Sequence, residues 1–155
     1  MAFAPDVKLV EDHSQWLSGF DIRYLRNWEK LLNADPEAAM CEAEVRRLLQ
    51  GNGNTVEPNE DLTGQNQACD FHCTRGDKAF FTEVTCLSID KVTKITALPN
   101  EADGKARHYG SLNDPIFEAS RKKTPQCADM GHPVIVAVGT CHFQASALCF
   151  GKHHL

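Results

Sequence analysis

The sequence predicts an α/β fold, a central mixed sheet with an antiparallel hairpin flanked by helices, plus an N-terminal helical extension. Three observations predict it. Apolar residues recur at helical spacing through the first fifty positions, two β-prone runs bracket the turn at Gly76-Asp77, and Pro133–Val138 is a continuous apolar, β-branched run. At 155 residues the chain suits one domain, and its 42% hydrophobic and 24% charged content is that of a folded globular protein. No apolar run approaches the roughly 18 residues of a membrane span. Met1–Lys8 lacks the basic and apolar regions of a signal peptide. Seven cysteines, odd in number and without a secreted framework, point to reduced thiols and a cytoplasmic setting.

The elements follow in order. Leu17, Phe20, Tyr24, Trp28 and Leu31 form one apolar helical stripe, which is core packing without chemistry. This makes residues 1–33 a helical extension to a core over 34–140. Asp35 can cap a second helix, with Pro36 at its first position and Glu37 at the positive end of its dipole. Cys41, Val45, Leu48 and Leu49 are its expected buried face, and Gly51-Asn52-Gly53-Asn54 ends it. Residues 55–67 allow a short strand near Thr55–Glu57 and then an exposed loop. Ala68–Cys73 and Ala79–Leu87 form the hairpin. Residues 88–98 read as a helix through Ile89, Val92, Ile95 and Leu98, and Asn100–Ser111 as an exposed excursion. Asp114-Pro115 reads as a second capped helix start, leading to Arg121-Lys122-Lys123. Pro133–Val138 reads as a strand buried on both faces. The ending, 141–155, has neither a clear cap nor a clear tail and reads as part of a longer protein.

Charge is unevenly spread. The net is −5, but residues 1–70 carry −7 while 71–155 carry +2 and six of the seven histidines. The acidic total excludes a basic coat over the whole surface, and leaves local contacts to nucleic acid open.

The hairpin register brings two acids together. With Gly76 and Asp77 as the turn, Asp70 falls opposite Glu83, with β-carbons about 4.5–5.5 Å apart, where like charges repel. Period two puts Glu83 and Thr85 on the face of Phe81 and Leu87. Two carboxylates beside apolar surface are costly unless a cation neutralises them, and with a backbone carbonyl and water they suit Mg²⁺ or Mn²⁺. The alternative is a wet, splayed pair at a sheet edge with no ion.

At these residues the chain resembles the PD-(D/E)XK, or restriction-endonuclease-like, nuclease superfamily. That family has a core of helix, three-stranded antiparallel meander, helix and strand, and its signature acids here are Asp70 in Cys69-Asp70-Phe71 and Glu83 in Phe81-Thr82-Glu83-Val84-Thr85. The preceding helix is similar to the Holliday-junction-resolvase branch through Glu42, Val45, Leu49, Gly53 and Val56. Lys123-Thr124-Pro125-Gln126 looks like the Lys-X-X-Gln that precedes an apolar strand in related domains. Cys69 stands where the family has proline and Thr85 where it has lysine. The second change removes a positive charge, which Lys123, or Lys91 and Lys94, could restore from another element. The resemblance covers residues 37–140. It implies metal-dependent phosphodiester hydrolysis with Asp70, Glu83 and the Val84 carbonyl holding Mg²⁺ or Mn²⁺. Glu42 is then an outer or second-metal acid, Thr85 the water-positioning group, and Lys123 with Gln126 the phosphate contacts, Lys122 beside them. On the same helix Glu37 and Glu44 compete with Glu42 as simple solvated acids. The implied partner is nucleic acid, DNA foremost, with a homodimer allowed and no membrane.

Other chemistry is weaker. Cys69, His72, Cys73 and Cys86 share the hairpin, but alternation turns Cys69 and Cys73 away from His72, and there is no Cys-X-X-Cys. Cys141-His142 with Cys149 could pair nucleophile and base, yet strand neighbours point to opposite faces. Buried thiols behaving as small hydrophobes account better for most of the cysteines. Two further readings compete with the nuclease. One is a catalytically degenerate domain serving as a protein-interaction or nucleic-acid-binding module, and the other a small-ligand-binding α/β protein. A cationic side chain within hydrogen-bonding distance of the Asp70–Glu83 pair separates the first of these from an active site.

Overall fold

Side-chain caps set most of the helix boundaries in the computed structural model, which describes residues 3–64, 68–103, 109–127 and 130–145. Asp6 accepts from the Lys8 and Leu9 amides to start α1 (Val7–Leu17), and Asp21 from Arg23 to start α2 (Ile22–Ala34). Asp35 accepts from Ala38, with Pro36 at the first position of α3 (Pro36–Gly51). Ser88 caps α4 (Ile89–Thr96), and the Glu37 carboxylate of α3 accepts from its Ile89 amide at 2.7 Å.

The strands are β1 (Thr55–Pro58), β2 (Phe71–Arg75), β3 (Lys78–Cys86) and β4 (Val134–Gly139), in spatial order β1-β2-β3-β4. The first three form an antiparallel meander, and β4 runs parallel to β3. Arg75 pairs with Lys78 and Phe71 with Thr82, so Gly76 and Asp77 are the turn, with Gly76 at φ +62° where a β-carbon would be strained. This is the register that the turn residues dictate. Between β3 and β4 the chain passes through α4 and α5 (Asn113–Lys123), making the crossover that parallel strands need.

Period-two alternation then sorts the side chains. Val56, Phe71, Cys73 and Val84 face Cys41 of α3, behind which α1 and α2 pack through Leu9, Leu17, Trp28, Ala39, Met40 and Ala43. Leu87 and Val138 meet Val92 of α4 and Ala119 of α5 in a separate cluster. Helices thus flank a four-stranded mixed sheet. Among the described residues no helix is long and apolar enough to cross a membrane.

Five expectations are corrected. The N-terminal stripe belongs to two helices, because the chain turns at 18–21, leaving Phe20 partly exposed in the turn against Trp16. Cys41, Val45 and Leu49 of α3 face the sheet as expected, but Leu48 is exposed, and the most buried positions of the helix, Ala39, Met40, Ala43 and Arg46, were not foreseen. Asp114 lies within the first turn of α5 and caps nothing: Leu112 holds the cap position without a side-chain bond. β4 packs on both faces, Ala137 against the α3 side and Val138 against α4 and α5, but it lies at the sheet edge and its start is open, with Ile135 48% exposed. Residues 58–62 are half-buried, not an exposed loop, because Asn59 is tied to the Cys69 and Asp70 carbonyls.

Candidate functional site

The acids converge where the hairpin register says they should. Asp70, just before β2, accepts from the Val84 amide of β3 through Oδ2 at 2.6 Å. Glu83, in the middle of β3, is 2% exposed, and its Oε1 accepts from Lys123 Nζ at 2.6 Å. Lys123 is the last residue of α5, forty positions away in sequence. Of the three lysines considered, the one that reaches the pair is Lys123; Lys91 and Lys94 are exposed on α4.

One atom is left over. Glu83 Oε2 is buried with no hydrogen-bond partner. An orphaned carboxylate oxygen forfeits roughly 1–3 kcal/mol or more of desolvation free energy, so it marks a place where a partner is due.

The titration behaviour points the same way. Burial and the neighbouring Glu83 push the Asp70 carboxyl up to about 7, against the pull of its Val84 hydrogen bond and of Lys123. Burial, then the charges of Asp70, Glu60 and Glu83, hold Glu42 well above the usual carboxylate range. Burial would depress the Lys123 ammonium, but its hydrogen bond to Glu83 and the charges of Glu83 and Asp70 outweigh this and raise it. Four carboxylates thus share one electrostatic neighbourhood with one ammonium. The set is short of positive charge.

Glu60 is the member that sequence reasoning missed. It follows Asn59 in the tied segment, is raised by burial, and hydrogen-bonds Asn27 of α2. Only the Glu60 position after a strand ending in Pro58 hints at it, and nothing local distinguishes it from Asp61. Of the three α3 acids, Glu42 joins the cluster. Glu44 is paired with Arg47 on the surface at 2.8 Å, and Glu37 serves the α4 amide.

The remaining expected residues divide. Thr85 is half-buried in β3, two residues beyond Glu83 on the same face. Val84 is buried and engages Asp70 through its amide. Lys122 is exposed, turned about 100° around the helix from Lys123. The side chain of Gln126 lies outside the described residues, as does Cys149. His142 cannot serve Cys141 as a base: its Nε2 meets the Leu98 carbonyl at 3.2 Å and its Nδ1 accepts from Ala145 at 3.2 Å.

The donor set fits a hard divalent cation in chemistry, being all oxygen, with one buried oxygen unpartnered and mutual repulsion that a cation relieves. Among the described residues no group of three or more His, Cys, Asp or Glu is already drawn together as a metal cage. Lys123 meets part of the need from one side. Comparisons with protein-family models, with curated proteins and with solved structures find no match to the chain, so its geometry alone carries the functional reading.

Proposed function

We propose that the protein is a metal-dependent, nuclease-like domain of the restriction-endonuclease-like type, hydrolysing phosphodiester bonds of nucleic acid, DNA foremost. The observation that carries this reading is the Lys123–Glu83 contact at 2.6 Å beside an orphaned Glu83 Oε2 and an Asp70 held up at about 7. It supplies the acid pair and the cation in one place although Thr85 stands at the signature lysine. The order helix α3, antiparallel meander, helix and a final strand parallel to β3 supports the same reading.

Asp70, Glu83 and the Val84 carbonyl would hold Mg²⁺ or Mn²⁺, with Glu42 and Glu60 adding charge from α3 and the tied segment. A divalent ion bound there supplies a Lewis acid for a phosphate oxygen and a more acidic water. Lys123 offsets the carboxylate charge at rest and meets charge on the phosphate during reaction. The Thr85 hydroxyl, able to donate and accept, holds a water on the Glu83 face. Exposed Lys122 adds attraction for the backbone without reading bases.

The test is titration of Mg²⁺ and Mn²⁺ into wild type, Asp70→Asn and Glu83→Gln by calorimetry, with cleavage assayed on single- and double-stranded DNA and on RNA. Binding and cleavage in the wild type, both lost in the two variants, is the expected result. Metal binding unchanged by Asp70→Asn overturns the site. Metal binding without cleavage of any substrate assigns the domain to the degenerate, binding-only class.

A further inference from the structure

Across the sheet, beside the acids, three rings stand in a row. His72 of β2 is the cross-strand partner of Phe81 of β3, and their ring centroids lie 5.2 Å apart at 45°. From the β4 side His132, two residues before that strand begins, sets its ring 5.9 Å from Phe81 at 56°. The row is open to solvent: His132 is exposed, and His72 and Phe81 are half-buried. Cross-strand packing accounts for Phe81 against His72. It does not account for His132, which lies outside the strand and adds its ring at the surface.

The row is placed next to the proposed chemistry. Period two puts Phe81 on the face of Glu83, one strand repeat or roughly 6.5 Å away. His72 likewise stands two positions from Asp70. Arg75 and Lys78, paired and exposed at the hairpin tip, are three positions from His72 and Phe81. Along the hairpin the order is therefore cations, rings, then the acids with Lys123. Positive charge attracts a phosphodiester backbone, and ring faces take up unpaired bases. The two ends of the row differ. Glu57, opposite His72 on β1, has its carboxylate 3.8 Å from His72 Nδ1, so phosphate is repelled there. The β4 end, with exposed His132, has the room and the ring for a base.

We propose that Phe81 and His132, with His72 backing Phe81, form a stacking surface for unpaired bases, which makes single-stranded nucleic acid the substrate class of the Asp70–Glu83 site. The bases of a duplex are stacked on one another and offer only edges to a sheet surface, whereas an unpaired base lays its face on an aromatic ring. The cleavage that follows rests on the nuclease reading proposed above; the capture of the strand does not.

The experiment measures the fluorescence anisotropy of labelled oligo-dT, oligo-U and a duplex of equal length with the full chain in EDTA, so that capture is read without hydrolysis. Wild type should hold one of the single strands at least about tenfold more tightly than the duplex, and the strand it prefers names the sugar backbone. His132→Ala and Phe81→Leu should each weaken that hold about tenfold, and Phe81→Trp should keep it. Equal binding of single strand and duplex, or a single-strand affinity unchanged in both ring variants, overturns the surface. Because His132 is exposed, its variant reads the row even where Phe81→Leu disturbs β3. With Mg²⁺ in place of EDTA, single-strand capture without cleavage ends the nuclease reading and leaves the surface standing. Duplex cleavage with no grip on either single strand sinks the surface and leaves the nuclease reading intact.

Discussion

Arg46 in the helical layer and Glu83 in the sheet are both charged residues almost closed to solvent, at 4% and 2% exposure, and the fold treats them in opposite ways. Each nitrogen of the Arg46 guanidinium has a partner: Nε meets His13 Nδ1 at 3.4 Å, Nη1 meets Gln50 at 2.8 Å, and Nη2 meets Asp12. Its plane lies 5.4 Å over the Trp16 ring. Glu83 has one oxygen answered by Lys123 and the other by nothing. Saturation is what a structural ion needs, since each unmet group subtracts from stability. Among the described residues Trp28 Nε1 and Glu83 Oε2 are buried side-chain atoms without a partner, and of the two only Glu83 belongs to a charged group, which is why the proposed site is placed there.

Three substitutions or titrations test that contrast. The largest effect belongs to Arg46→Met, expected to cost about 3 kcal/mol through lost packing, hydrogen bonds and the cation–π contact. Urea denaturation measures it, and adding Asp12→Asn should recover little, because Asp12 is half-exposed and needs no partner. A loss below about 1 kcal/mol would erase the distinction between the two centres. Next comes Lys123→Met, which strands Glu83 and should cost about 2 kcal/mol, a partial value because Lys123 is partly solvated. Here Glu83→Gln in the same chain should restore most of the loss. Failure of that rescue would mean that Lys123 serves α5 and not the carboxylate.

The smallest effect sharpens the comparison by pH. His13 is lowered to about 3 by burial and by Arg46, so below its ordinary 6.5 the unfolded chain binds the extra proton. Its contribution is present above 6.5 and is lost as pH falls toward 3. Asp70 does the reverse: raised to about 7 from 3.8, it binds the extra proton in the folded state, and its contribution is lost as pH rises through that window. Each slope is about 1.4 kcal/mol per pH unit, and they oppose one another between roughly pH 4 and 6.5. In the wild type the raised Glu42 and Glu60 add to Asp70, so stability should decline toward neutrality. Asp70→Asn should tilt the profile upward by about 1.4 kcal/mol per unit, read from denaturation midpoints across that range. An unchanged profile would place Asp70 in an ordinary solvated setting.

Features that depend on neighbours in the chain were legible in the sequence. A glycine-led two-residue turn fixes register, so the approach of Asp70 to Glu83 follows from Gly76-Asp77, and Asp35-Pro36 fixes the start of α3. Features made by tertiary contact were not. Helical spacing of three and four is preserved across the break at 18–21, which hides it. The run 133–138 cannot say how many neighbours its strand will have. Glu60 enters the site because Asn59 is tied to the chain near Asp70, and Cys41 and Cys86 meet only when α3 and β3 are packed. Lys123 lies between: Thr85 leaves this part of β3 without a cation, but that α5 supplies one could only be guessed among several lysines.

That long-range pairing of Lys123 with Glu83 has an effect on the order of events during synthesis. Glu83 leaves the ribosome forty residues before the lysine that answers it. The meander can pair its strands early, since its contacts are local, but it does so with Asp70 and Glu83 repelling and no ammonium in reach. Until α5 emerges and β4 docks beside β3, the hairpin holds its acids toward water, where ionisation is cheap and closure of the sheet is opposed. The final elements therefore act as a latch, and a nascent or prematurely ended chain stopping short of Lys123 carries a strand pair that prefers to stay open.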